Sequence, residues 1–199
     1  MEVAHIDAFR RDPDRFWSFY SQRFMSLMDK RPNPAHEAVA ELERRGVIRG
    51  VITQNVDRLH RIAGTQRLIE VHGSIEYSVC PQCGGKVHIE RVIELVAQAG
   101  TPECLACIAP LKPDVVLFGE LLPEAAMTEA HELAAEADLM LCIGSSLEVH
   151  PVAALPELTR RGGGRIALIT QGPTPYDGEA EVKLDGDVVE ELDAVVAAI

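Results

Sequence analysis

The chain has 199 residues, 47% of them hydrophobic, which suits one globular domain with at most a small insertion and excludes a disordered chain. Its formal net charge of −12 argues against non-specific binding to nucleic acid or anionic lipid, and fits either a basic partner such as a lysine-rich peptide or a surface kept soluble by charge repulsion. No apolar run approaches the roughly 20 residues of a membrane helix, and the charged start (Glu2, Asp7, Arg10, Arg11) lacks a signal-peptide segment, so a cytoplasmic protein with no membrane partner is expected.

From Met1 to about Arg45 the pattern is helical. Asp12-Pro13 reads as an N-cap followed by proline at the first helical position. Phe16, Tyr20, Phe24 and Leu27 then recur at helical spacing, an aromatic stripe read as packing. Asn33-Pro34 repeats the start signal for a helix through Ala38, Val39 and Leu42, ended by Gly46. Beyond it, short β-branched runs alternate with helical segments. Strands are predicted at Val47–Thr53, Leu68–Val71, Asp114–Phe118, Leu139–Ile143, Arg165–Thr170 and Val182–Leu184, and helices at Glu124–Ala137, Pro151–Arg160 and Val188–Ala198. Such alternation implies a parallel sheet with right-handed crossovers, a Rossmann-like three-layer α/β fold. The domain boundaries expected are a helical segment at 1–45, the Rossmann-like domain at 46–77 and 111–199, and an inserted cysteine module at 78–110.

That module carries Cys80-Pro81-Gln82-Cys83 and Cys104-Leu105-Ala106-Cys107. Each C-x-x-C turn lets two thiolates converge on one ion, and the second pair closes a tetrahedron. Four sulfurs favour Zn2+, with iron the other metal that accepts such a set. A site filled by four thiolates has no position for water or substrate, so the ion is structural and its binding energy holds a module that lacks a core of its own. Cys142, in an apolar strand, reads as a buried inert thiol.

Ligands of open parallel sheets bind beyond the carboxyl ends of the strands, and three such ends here are polar. Thr53, Gln54, Asn55 and Asp57 follow the first strand, His72-Gly73 the second, and Gly144-Ser145-Ser146 the strand at Leu139–Ile143. The last is a strand–Gly/Ser–helix turn, of a kind that brings a ligand against backbone N–H groups or merely connects two elements. Gly162-Gly163-Gly164 precedes a strand and reads as a connection.

Thr53–Asp57, Val71-His72-Gly73, the cysteine quartet, the run Lys112-Pro113-Asp114-Val115-Val116-Leu117-Phe118-Gly119-Glu120 and Gly144-Ser145-Ser146-Leu147 together resemble the sirtuin (Sir2) family of NAD-dependent protein-lysine deacylases, in family order and along essentially the whole chain. The resemblance implies NAD as co-substrate, structural Zn2+, an acyl-lysine protein or peptide as partner, and release of nicotinamide and O-acyl-ADP-ribose, with ADP-ribosyl transfer the related reaction at the same bond. It makes His72 the general base toward a ribose hydroxyl, a task suited to an imidazole. It places Asn55 by the ribose and reaction water, Asp57 at the nicotinamide carboxamide and Gln54 on the ribose. Gly144, Ser145 and Ser146 would cradle the cofactor, with Asp187 and Val188 near adenine and Thr170 where the family usually has an asparagine. Val116, Phe118, Gly119 and Glu120 would form the acyl-lysine tunnel and a strand edge that pairs with substrate backbone. An apolar Phe118 wall suits the aliphatic lysine stem.

The family pattern opens with a strand, a Gly-Ala-Gly loop and a Pro-Asp-Phe/Tyr-Arg segment that have no counterpart in these 199 residues. The expectation is therefore a Rossmann-like domain incomplete at its N-terminus, from a fragment, a start assigned at an internal methionine or a truncated protein. Low stability is expected as well, with Val47–Thr53 and Asp114–Phe118 lacking a shared neighbour. The alternative function is a catalytically inactive relative that binds only a peptide or partner. A zinc-ribbon nucleic-acid module is disfavoured by the net charge and the lack of a basic face.

Overall fold

The structure is a computed structural model that describes residues 2–199. A 3₁₀ turn at Glu2–Ala4 leads into α1 (Ile6–Arg11), α2 (Pro13–Met28), α3 (Pro34–Arg44), β1 (Val51–Thr53), α4 (Leu59–Ala63), β2 (Leu68–Glu70), β3 (Gly73–Val79) and β4 (Lys86–His88). There follow α5 (Ile89–Ala99), β5 (Lys112–Val115), α6 (Glu124–Ala135), β6 (Leu139–Ile143), α7 (Leu155–Arg161), β7 (Arg165–Ile169), β8 (Val182–Leu184) and α8 (Val188–Ala198). They form two compact units. One takes the residues up to Arg31, Asn55–Arg58 and His72–Pro123, and the other takes Pro32–Gln54, Leu59–Val71 and Glu124–Ile199.

In the first unit Asp12 caps α2, its carboxylate accepting the Arg15 N–H at 3.0 Å, and Pro13 occupies the first turn, where no N–H is needed. The aromatic stripe is packing. Phe16, Trp17 and Phe24 are buried, Phe16 stacks on Tyr20 at 4.4 Å between ring centroids, and Phe9 meets Phe16 edge-on at 5.3 Å. Each such side chain contributes about 1.5–3 kcal/mol relative to exposure. The buried Trp17 indole N–H donates to the Leu111 carbonyl at 2.8 Å, tying α2 to the segment that leaves the cysteine module. Ile75, Ile89, Val92, Leu111, Val115 and Leu117 complete this core.

The sheet of this unit, ordered β4-β3-β5, is antiparallel. It corrects one expectation: the strand predicted at Asp114–Phe118 runs instead from Lys112 to Val115 and does not belong to the parallel alternation. A short β-branched run carries no information about the direction of its partner. Here the partner is β3, which the sequence reading had not assigned, and β5 lies at the sheet edge, where the missing N–H of Pro113 is tolerated. β3 thus gives this strand a neighbour, though among the described residues no strand pairs with both it and β1.

In the second unit Asn33 caps α3 through a reciprocal capping box with His36. The helix ends in a Schellman motif: Gly46 (φ +72°) donates to the Glu43 carbonyl at 2.8 Å and Val47 to Leu42 at 2.9 Å. That motif uses up Val47 and Ile48, so β1 begins only at Val51 rather than at Val47. β1 pairs in parallel with β2, and β6, β7 and β8 form a parallel ladder with β7 central. Among the described residues no pairing joins the two ladders, where one continuous sheet was expected. β7 is buried on both faces, as parallel strands are. Ile169 packs with Leu141, Ile143, α3 and α8 on one side, and Ile166 and Leu168 pack with Met140 and Cys142 on the other. α6 and α7 are joined by the buried Thr159 hydroxyl, which donates to the Ala134 carbonyl at 2.7 Å. Parallel strands layered with helices make the fold Rossmann-like. No helix of the described residues is long and apolar enough to cross a membrane.

Candidate functional site

The four module cysteines converge. Cys80 and Cys83 sit on the turn after β3, and Cys104 and Cys107 on a matching turn after α5. Each turn closes with the same two bonds: Gly84 N–H to Cys80 carbonyl and Cys80 N–H to Gly85 carbonyl at 2.9 and 2.8 Å, Ile108 N–H to Cys104 carbonyl and Cys104 N–H to Ala109 carbonyl at 2.9 Å each. The residue after the second cysteine takes a left-handed backbone in both, Gly84 at φ +73° and Ile108 at φ +61°. All four sulfurs lie within 4.8 Å of one another, with Cys80–Cys107 at 3.4 Å and Cys83–Cys104 at 3.6 Å. These separations exceed a disulfide bond of about 2.05 Å and approach the sulfur–sulfur edge of about 3.8 Å that Zn–S bonds of about 2.3 Å give a tetrahedron. Within the quartet the thiols oppose one another: backbone hydrogen bonds at Ala106 and then Cys107 hold the Cys104 thiol down to about 6, while the neighbouring Cys80 thiol helps push Cys107 up to about 12. The donor set fits one structural zinc ion. Cys142 is separate: buried in β6, its thiol is pushed up to about 12 by desolvation, and it is inert.

His72 follows β2 directly, after the fully buried Val71, and is itself half-buried. Its carbonyl accepts the Val116 N–H at 2.9 Å. Gly73, next in sequence, holds φ +73°, and a Cβ there would lie 2.1 Å from the Asp114 carbonyl oxygen, so only glycine allows β5 this close. Asn55–Arg58 belongs to the same unit as His72. It is fastened to β3 by the Ile75 N–H donating to Val56 at 3.0 Å and by Arg58 facing Glu76 at 3.9 Å. The structure therefore gathers His72, Asn55 and Asp57 into one compact unit with the Val116–Glu120 loop.

In that loop most backbone donors are engaged. Leu117 N–H donates to the Glu120 carboxylate at 2.9 Å and Glu120 N–H to the Leu117 carbonyl at 3.0 Å. Phe118 N–H donates to Ala4, and the Phe118 carbonyl accepts from Ile6, so residues 4–6 form a short parallel bridge against it. Phe118 turns its ring outward, 62% exposed. No local signal in the sequence marks this bridge, a contact between segments so distant along the chain. β3 was not among the predicted strands, although Ile75, Tyr77 and Val79 alternate along it.

The remaining predicted residues lie in the second unit, each at the carboxyl end of a parallel strand: Gln54 after β1, Gly144–Ser146 after β6, Thr170 after β7, Asp187 and Val188 beyond β8. Register aligns Ile143, Ile169 and Leu184, which sets Gly144 and Thr170 side by side on one sheet edge. Gly144 has φ +59° and open space where a Cβ would point, while Ser145 Oγ accepts the Leu147 N–H at 3.2 Å. Open backbone and hydroxyls at such an edge fit a nucleotide cofactor. Asp187 also caps α8, accepting from Val189 at 2.8 Å and Glu190 at 3.4 Å.

The sequence profile described as the Sir2 family matches residues 1–151. The chain belongs to the Sir2 family. This Sir2-family chain is 42% identical over 188 residues to an NAD-dependent protein deacetylase of Thermotoga maritima, covering 94% of the chain and 76% of that relative. It is 41% identical over 201 residues to an NAD-dependent protein deacylase of Pyrococcus furiosus, covering 100% and 80%. Among solved structures, a Sir2 bound to acetylated peptide superposes with a TM-score of 0.95 at 40% identity, over 98% of the chain and 82% of its own. A Sir2 with p53 peptide and NAD+ gives the same values.

Proposed function

We propose that this chain removes acyl groups, acetyl by family default, from protein lysines with NAD as co-substrate, releasing nicotinamide and O-acyl-ADP-ribose. The observation that carries the reading is the placement of His72, whose main chain is bonded to Val116 of the loop assigned to the acyl-lysine. Relatives about 40% identical along nearly the whole chain support it, and they do not favour the inactive alternative.

NAD supplies the activated ribose–nicotinamide bond. With NAD bound, His72 would accept a proton from a ribose hydroxyl at an imidazole nitrogen, raising the nucleophilicity of that oxygen. Asn55 orients the ribose and the reaction water, Gln54 holds the ribose, and Asp57 accepts from the carboxamide. Gly144, Ser145 and Ser146 cradle the cofactor, with Thr170, Asp187 and Val188 toward the adenosine. The exposed Phe118 ring walls the lysine stem and excludes water from it, while Val116, Gly119 and Glu120 complete the tunnel and peptide edge. The structural zinc keeps the module folded and takes no part in the chemistry.

Nicotinamide release with an acetyl-lysine peptide tests this reading. Wild type turns over and His72→Ala does not. Equal turnover in the two removes His72 from its role, and no peptide-dependent release by wild type overturns the activity itself.

A further inference from the structure

Lys112 starts β5 and has no role in the reading above, yet its ammonium is well satisfied and touches a residue that has one. Its ammonium has three donors and meets three acceptors: the Pro113 carbonyl at 3.1 Å, the Val115 carbonyl at 2.7 Å and the Glu120 carboxylate at 2.9 Å. Both partners of the ion pair are largely shielded, with side-chain exposures of 16% and 24%. The same Glu120 oxygen accepts the Leu117 N–H. Removing either partner would leave the other charge shielded and uncompensated, unlike the loss of a surface pair.

The path between the two residues gives the pair its meaning. From Lys112 the chain runs along β5, where Val115 is in register with Gly73. Val116 then donates to His72, the chain turns at Leu117–Glu120, and the Glu120 carboxylate returns to Lys112. The ion pair closes a ring that carries Val116, Phe118 and Gly119 and is anchored to the backbone of His72. The two charges are largely shielded, while the Phe118 ring is exposed.

We propose that Lys112 is a positioning residue for the acylated substrate, acting through Glu120 to hold the Val116–Gly119 loop in the shape that receives the lysine stem. The proposal rests on the deacylase reading above. Loop contacts that hold the peptide alike in ground and transition states act on KM rather than on kcat.

The test is peptide-dependent nicotinamide release, with NAD binding followed separately by calorimetry, for wild type, Lys112→Met, Lys112→Arg and Lys112→Gln. In Lys112→Met the peptide KM rises about tenfold while kcat changes less than about threefold and NAD affinity is unchanged. Lys112→Arg, which keeps the charge, stays within about threefold of wild type. Should Lys112→Met fail to fold, Lys112→Gln carries the test, because its amide can still donate to a β5 carbonyl while the charge that pairs with Glu120 is gone, and the same rise in KM is expected. A purely structural role lowers the folded fraction, and with it the apparent kcat, and leaves KM in place. That pattern, or no change in either constant, overturns the proposal while the deacylase reading stands. A wild type that releases no nicotinamide with peptide overturns both.

Discussion

Val116 donates its backbone N–H to the carbonyl of His72 at 2.9 Å, and this bond joins the assigned proton acceptor to the assigned acyl-lysine loop. The two residues lie in separate stretches of sequence, with the whole cysteine module between them. The bond exists because β5 returns alongside the first residue of β3, an approach that only the glycine at position 73 permits. A zinc ion held by the four cysteines would tie together the ends of this excursion and so support the return of β5 to His72.

Gly73→Ala should break this relationship. The left-handed backbone at φ +73° alone disfavours alanine by about 1–2 kcal/mol, and the new Cβ would overlap the Asp114 carbonyl at 2.1 Å. Relief requires β3 and β5 to part, so a total loss of about 3 kcal/mol or more is expected. Urea unfolding of wild type and variant measures it, and equal midpoints would show that the strands do not pack this closely.

Much of this arrangement was legible in the residues. Asp12-Pro13 and Asn33-Pro34 start helices because their caps are local chemistry, and the C-x-x-C pairs announced a metal site because two thiolates per turn leave few other uses. The polar strand ends were legible for the same reason. What escaped is non-local. The direction of the Lys112–Val115 strand depends on β3, and the shortening of β1 depends on which N–H groups the Gly46 turn consumes. The Lys112–Glu120 pair was in view within its motif, but its closure needs the strand and the turn to be built first.

Zinc removal should be visible through Trp17, the one tryptophan of the chain. Its indole is 1% exposed and bonded to Leu111, where the chain leaves the cysteine module. Wild type should contain one zinc per chain by atomic emission and show blue-shifted tryptophan fluorescence. A strong chelator, or Cys83→Ser, should release the metal, shift the emission to the red and lower the unfolding temperature, since structural zinc contributes about 10–16 kcal/mol of binding energy. An unshifted emission after complete zinc loss would mean that the core around α2 folds without the module.

Ile108→Gly should stabilise the second cysteine turn. A β-branched residue with φ +61° is strained by about 1–2 kcal/mol, whereas the first turn places Gly84 at the matching position. Ile108 is 71% exposed, so little burial is lost. Glycine's greater freedom in the unfolded chain returns about 0.5–1 kcal/mol, leaving a net gain of up to about 1 kcal/mol. Thermal unfolding of the zinc-loaded variant checks the sign, and a lower midpoint would show that the exposed isoleucine side chain contributes more than its backbone strain removes.

Acid should act through the loop before β8. The Asp177 carboxyl is held below the usual carboxylate range, first by Lys183 and then by Thr174, with contacts of 2.7 Å to each. A carboxyl whose pKa is lower folded than unfolded adds stability that is present above the unfolded value, near 3.8, and is lost as pH falls through the folded value. Asp177→Asn should therefore be less stable than wild type at pH 7 and indistinguishable from it once the pH lies below the folded pKa. The exposure of the pair keeps the effect small and reduces it further in high salt. Denaturant melts of both proteins at pH 7 and in the acid range, at low and high salt, follow the difference. A gap between the two that widens toward acid would reverse the sign and assign the depressed carboxyl elsewhere.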